Sequence, residues 1–394
     1  SSDVCSSDLM PTRQRLHTPS TLLWTLWCCI LLALLSSGCR EQKEPEKKAA
    51  TTASAPKGPL TLAMPANGAY TGAYVDFGEG ESHVTYDALT AFEQMTGKHQ
   101  AVIAFGNFWG DQAFPTKTVG IVSSYGAVPL IFWSPWDKPY EESRKPDRFK
   151  LPDILAGKWD AYIDAWADGA RNYGKPLLVT WGLEMNGMWF PWSGYYYGGG
   201  KVIGHNNGRP LYEGPETFKQ AYRYVVDRVR AKKATNVLWG FHANNFSMPR
   251  TGWNQMANYY PGKDYVDWLG LSVYGKMSKS EGWANFVNMM HEPYHDIAKL
   301  DANKPIFLAE WGVGEFPPAD KAGFIAKAFS LIPTQYPRVR LAVYWHERWE
   351  NADGSFSNLR VNSSPEALKA YKTGIADPYW IDPPQYAPLP PPPR

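Results

Sequence analysis

Two glutamates stand out by their surroundings. Glu184 lies in WGLEMNGMWFPW (residues 181–192), one carboxylate among three tryptophans, a phenylalanine and two methionines. Glu310 lies in KPIFLAEWG (residues 304–312), at the end of an apolar run and next to Trp311. A carboxylate in apolar surroundings is costly to ionise unless it is paired or kept protonated. Two of them facing one another across a cleft can perform retaining glycoside hydrolysis. One protonates the leaving oxygen while the other attacks the anomeric carbon, at a separation of about 5–5.5 Å, against about 6.5–9.5 Å for inversion. The competing reading is two structural acids paired with Arg or Lys; placement at strand ends beside tryptophan weighs against it.

Such a pair needs a frame that brings distant segments to one rim. Eight short apolar runs supply candidate strands: Ala69–Phe77, Gln100–Phe105, Val128–Trp133, Pro176–Trp181, Asn236–Phe241, Val266–Tyr274, Pro305–Trp311 and Arg340–Trp345. Each is nearly continuous in apolar residues, as parallel strands covered on both faces are. Helical patterns fill the gaps: Trp159, Ile163, Trp166 and Ala170 share a face before Tyr173-Gly174, and Phe218, Tyr222, Val225 and Val229 share another behind Pro215. Strand–helix alternation over this length predicts an α/β fold, a single (β/α)8 TIM barrel. A doubly wound sheet is the alternative, but no GxGxxG loop follows the first strand. In a barrel the chemistry sits on the loops after the strands. That rim would carry Asp76, Asn107, Trp109, Trp133, Asp137, Glu184, His242, Asn244, Tyr274, Glu310, Trp345 and His346.

Composition fits a large domain with a cleft for flat, amphipathic ligands. Of 394 residues 44% are apolar and 15% aromatic, with 18 Trp and 23 Tyr, and the net charge of +2 gives no reason to expect a nucleic acid partner. The region 59–382 reads as one catalytic domain. Ahead of it, residues 1–39 read as a short expression or translation scar (Ser1–Leu9) followed by a signal: Arg13 and Arg15, the apolar Leu22–Leu35, then LSSGC ending at Cys39. This resembles a bacterial lipoprotein signal with Cys39 as the lipidated residue, and predicts export and a lipid anchor at the outer membrane or cell surface. Residues 40–58 read as a disordered tether, and residues 383–394 as a Pro-rich polyproline II tail. All four cysteines fall at or before Cys39, so no disulfide or Cys-based metal site is expected in the domain. His291-Glu292-Pro293-Tyr294-His295 spells H-E-x-x-H, but Pro293 is expected to disrupt the helix a zinc site would need; no metal or cofactor is implied.

The stretches LEMNGMWFPW, YYPGKDYVDWLGLSVYG and KPIFLAEWG together resemble glycoside hydrolase family 26, over roughly residues 59–373. The resemblance implies a (β/α)8 retaining glycosidase with Glu184 as acid/base and Glu310 as nucleophile. It also implies that Tyr274 hydrogen-bonds the nucleophile and that Trp345 is a sugar platform. Trp189, Trp192, Trp133, Trp109, His242, Asn244, Asn186, Trp311 and His346 complete the substrate-binding candidates, and Tyr195–Tyr197 could line subsites. The family's activities make a monomeric endo-1,4-β-mannanase the first expectation, with a mixed-linkage β-1,3-1,4-glucanase or a β-xylanase as alternatives. A non-catalytic glycan-binding lipoprotein is the alternative of another class. The sequence departs from the family's mannanases at Leu183, where they carry His, and in FWSPWD (residues 132–137), where another His is usual. Those histidines help bind the sugar at the cleavage site, so the departures bear on substrate and not on bond cleavage.

Overall fold

The computed structural model describes residues 59–78, 80–137, 139, 148–351 and 353–389. The signal region, Cys39 and the tether lie outside the described residues. Eight parallel strands form the frame: β1 (Ala69–Val75), β2 (Val102–Phe108), β3 (Val128–Ser134), β4 (Leu177–Trp181), β5 (Val237–Asn244), β6 (Trp268–Tyr274), β7 (Ile306–Gly312) and β8 (Val339–His346). Each pairs with its successor, and β8 returns to β1 from Leu341↔Tyr70 to His346↔Val75, which closes the barrel. All eight apolar runs become strands. β2 and β5 extend three residues past the apolar run, staying paired to β3 and β6 while the Asn107 and Asn244 side chains find partners at the rim.

A helix follows every strand: α1 (Tyr86–Thr96), α2 (Thr116–Tyr125), α3 (Asp160–Tyr173), α4 (Glu213–Ala231), α5 (Met256–Tyr259), α6 (Phe286–Ala298), α7 (Lys321–Gln335) and α8 (Pro365–Ile375). Leucine, valine and aromatic residues at helical spacing bury one face of each long helix, as in α4 with Phe218, Tyr222, Val225 and Val229. Gly174 ends α3 in the left-handed conformation at φ 69°.

Successive residues of a strand point to opposite faces. Inside the barrel, Phe132, His242 and Phe307 meet, with ring centroids 5.6 and 6.2 Å apart. Outside, Trp133 stacks on Trp166 of α3 at 4.1 Å, Trp181 packs on Phe218 and Tyr222 of α4, and Trp311 meets Phe286 of α6 and Phe329 of α7. The tryptophan excess therefore divides between a mantle, where strands meet helices, and the barrel mouth.

Two expectations are corrected. Pro293 does not end its helix; it sits inside α6. A proline cannot donate to the carbonyl four residues back, and here that carbonyl, of Met289, accepts from Asn245 Nδ2 at 3.0 Å instead. His291 and His295 consequently share a helical face with ring centroids 4.7 Å apart, but no group of three His, Cys, Asp or Glu placed to hold a metal occurs among the described residues. Part of the Pro-rich end also departs from a free polyproline II tail: Tyr386–Pro388 pairs antiparallel with Leu60–Leu62, Leu60 opposite Pro388.

Candidate active site

Glu184 is positioned by a tight exit from β4. Gly182 takes φ 60°, where a Cβ would come within 2.9 Å of Phe218, and Glu184 itself takes φ 51°. A left-handed non-glycine residue costs on the order of 1–3 kcal/mol and persists where the surroundings fix it. They do so here. Glu184 N donates to His242 O at 2.7 Å, and Gly187 N donates back to Glu184 O at 2.9 Å. The carboxylate is 4% exposed; Oε1 accepts from Asn244 Nδ2 at 2.8 Å and Oε2 from Trp189 Nε1 at 2.6 Å. Burial pushes its pKa above the ordinary value, with hydrogen bonds from Ser272, Asn244 and Trp189 opposing that rise. Gly187 lets Trp189 reach the carboxylate, since a Cβ there would stand 2.2 Å from the indole ring.

Glu310 reaches the interior by a different device. Phe307 points into the barrel, so strict alternation would send Ala309 inward and Glu310 outward. The pairing of β7 with β6 instead shifts register between Leu308 and Glu310, placing Glu310 opposite Ser272. This bulge re-aims the glutamate into the mouth and turns Trp311 out to the mantle. Tyr274 Oη donates to Glu310 Oε2 at 2.6 Å. Burial and then the Glu310 charge raise the Tyr274 pKa far above that of a free phenol, so the hydroxyl keeps its proton and remains a donor. The charges of Glu184 and Glu347 act on the same phenol, so Tyr274 stands in the field of three carboxylates.

Trp345 lies flat against Tyr74, with centroids 3.9 Å apart and planes within 9°, and donates Nε1 to Glu347 Oε2 at 2.9 Å. His242 Nε2 is 2.7 Å from Ser272 Oγ, and complete burial lowers the imidazole pKa to about 3, so it is neutral. The mouth thus gathers Glu184, Glu310, Tyr274, Trp345, Trp189, His242 and Asn244 from the sequence candidates. Ser272 and Glu347 join them without having been singled out. Both share the inward parity of a recognised neighbour, Ser272 two residues before Tyr274 and Glu347 two after Trp345, and that parity is the signal that finds them.

The remaining candidates serve the frame. Trp133 and Trp311 belong to the mantle, and Trp109 packs beside Trp133, Phe149 and Tyr162. His346 faces outward, its Nδ1 accepting from Val361 N at 3.0 Å. Trp192 is buried and donates Nε1 to the Leu183 carbonyl at 2.7 Å. Asn186 ties the loop after β4 to the one after β5 through Asn244 O and N, at 3.0 and 2.9 Å. In the tyrosine run, Tyr195 is exposed, whereas Tyr196 donates to Met188 O and the Tyr197 hydroxyl accepts from Leu151 N. One carboxyl biased to stay protonated and a second held by a phenol donor can together act as an acid and a nucleophile on one bond.

Comparisons with known proteins bear on the family and the fold. Residues 153–307 match the sequence model of glycosyl hydrolase family 26. Over 313 residues, 78% of this chain, the sequence is 31% identical to Endoglucanase H of Acetivibrio thermocellus, of which the match covers 30%. It is 24% identical to a beta-1,3-xylanase of a Vibrio species (59% of this chain, 50% of that protein) and 28% identical to a mannan endo-1,4-beta-mannosidase of Bacillus subtilis (50% and 48%). The chain spans from under a third to half of the length of the first of these curated relatives. Among solved structures, a Bacillus subtilis mannanase shares the fold with a TM-score of 0.53 at 20% identity, over 80% of this chain and 86% of that one. The Cellulomonas fimi endo-beta-1,4-mannanase does so with 0.55 at 18%, over 80% and 72%.

Proposed function

Because the barrel of this chain belongs to glycosyl hydrolase family 26, we propose that it is a retaining endo-β-glycanase with Glu184 as acid/base and Glu310 as nucleophile. The observation that carries the reading is the unequal support of the two acids. Glu184 is buried with its pKa raised, and Glu310 is held by the Tyr274 hydroxyl at 2.6 Å. In the first step Glu184 gives its proton to the glycosidic oxygen while a Glu310 oxygen bonds to the anomeric carbon, and the leaving sugar departs. In the second, Glu184 takes a proton from water, the hydroxide attacks that carbon, and the Glu310 carboxylate is released.

A β-glucan backbone is the substrate we favour. Two features support it: the relative at 31% identity is named an endoglucanase, and Leu183, buried beside the acid/base, offers no hydrogen bond to a sugar hydroxyl. β-1,4-Mannan is the second reading, favoured by the mannan endo-mannosidases among the relatives. Reducing-sugar release from barley β-glucan, mannan, glucomannan and xylan, by the protein and its Glu184→Ala and Glu310→Ala variants, tests both levels. Release from glucan or mannan that both substitutions abolish is expected; full activity in either variant would overturn the assignment. Export and lipidation at Cys39 belong to the same proposal, since polysaccharide must be met outside the cell. Incorporation of labelled palmitate that is lost in Cys39→Ser checks that part.

A further inference from the structure

The loops that follow β6, β7 and β8 enclose a groove of about 620 Å³ lined by Lys276, Trp283, Glu315, Phe316, Pro317 and Phe356, among others. These loops continue the strands that end in Tyr274, Glu310 and Trp345. Glu315 on the groove wall lies five residues beyond Glu310, at most about 18 Å of extended chain. The groove therefore lies at the same end of the barrel as the carboxylate mouth, on the loops that leave three of its strands.

Its tryptophan differs from those elsewhere. Trp283 is 37% exposed and Phe356 38% exposed, whereas every other tryptophan among the described residues is buried or half-buried. Leaving such rings in water forfeits burial worth about 25 cal/mol per Å² of apolar surface. The rings are nevertheless held in place. The Arg348 guanidinium carbon lies 3.5 Å from the Phe356 ring centroid, Lys276 Nζ lies 5.3 Å from that of Phe316, and Trp283 sits edge-on to Phe324 of α7 at 6.3 Å. Glu315 is fixed beside them, its Oε2 accepting from Ser363 Oγ at 2.7 Å and Ser364 Oγ at 3.0 Å. Oriented flat rings with a few polar groups at their edges suit a pyranose, whose C–H face stacks on the ring while its hydroxyls reach the rim.

The geometry points to this groove as a distal subsite that holds sugar units of the same β-glycan chain beyond the cleaved bond, with Trp283 and Phe356 as its platforms. The assignment rests on the glycanase reading for its ligand class. It is tested with the full protein and the Trp283→Ala/Phe356→Ala variant, both run through native gels containing barley β-glucan or glucomannan. Kinetics are measured on the polymers and on an aryl disaccharide short enough to occupy the mouth alone. The variant should lose at least about 10-fold in polymer affinity, two aromatic contacts each supplying ~1 kcal/mol. Its KM on polymer should rise by the same factor while its kinetics on the disaccharide stay with the wild type. Equal retardation of variant and wild type, no retardation of the wild type in either gel, or an equal loss on both substrates would overturn the subsite. A wild-type protein that cleaves nothing, yet whose retardation the variant loses, would overturn the glycanase reading and leave the groove as a glycan site.

Discussion

The tryptophans of the mouth are bonded differently from Trp181 and Trp311 of the mantle. In the mouth the indole N–H groups meet carboxylates, Trp189 on Glu184 at 2.6 Å and Trp345 on Glu347 at 2.9 Å. In the mantle, Trp181 and Trp311 bury the same group without a hydrogen-bond partner and are placed by ring contacts, Trp181 to α4 and Trp311 to α6, α7 and Tyr344 of β8. These two fill volume. Mouth tryptophans do that and also orient charged groups, so similar substitutions in the two regions should have different consequences.

The largest difference should come from the acids that the mouth orients. Glu310→Gln is expected to lower kcat/KM on polymer by more than about 10⁴-fold, and Glu184→Gln by roughly 10²–10⁴-fold, both read from initial rates. Glu184→Gln should also raise the thermal midpoint at neutral pH. The folded-state pKa of Glu184 lies above its unfolded value, so its stabilising contribution is full below about 4.5 and is lost as pH rises through the folded pKa. The gain in midpoint should therefore fade as the melts are repeated at lower pH.

Trp189→Phe comes next. Loss of a hydrogen bond to a charged group costs about 1.5–3 kcal/mol, or roughly 10- to 100-fold in rate. It also removes a donor that favours the ionised form of Glu184, so the alkaline limb of the pH–kcat/KM profile should move to higher pH. A limb that stays in place would separate Trp189 from the acid. Glu347→Gln, which retains an acceptor for Trp345, should cost under about 10-fold in kcat/KM, much of it as a higher KM. The smallest effect on catalysis belongs to the mantle. Trp181→Phe should lower stability by about 1–3 kcal/mol in denaturant unfolding and leave the pH profile unmoved. A shifted pH profile in this variant would break the division between the two regions.

Much of the frame was legible because each barrel strand is an apolar run long enough to be read without knowing its partners. Glu184, Glu310, Tyr274 and Trp345 were legible because strand order fixes which ends share the rim. Face was the harder matter. Trp133, Trp311 and His346 sit at the same strand ends as the functional residues but with the opposite parity, and an end-of-strand rule cannot separate them. Parity alone would also have failed at β7, where the bulge before Glu310 reverses it, and a bulge is a property of two paired strands. Pro293 was misread for a related reason: the group that completes its helix, Asn245, lies on another element.

The claim that Glu310 is the nucleophile of a double displacement can be tested in one measurement. In a glycoside fluorinated at carbon 2 and carrying a reactive leaving group, the fluorine slows both steps while the leaving group restores the first, so a glycosyl ester should accumulate on the protein. Mass spectrometry of the digested adduct should place the sugar on the peptide containing Glu310, at Glu310 itself. An ester on any other residue, or none from a protein that turns over the unfluorinated substrate, would contradict the account.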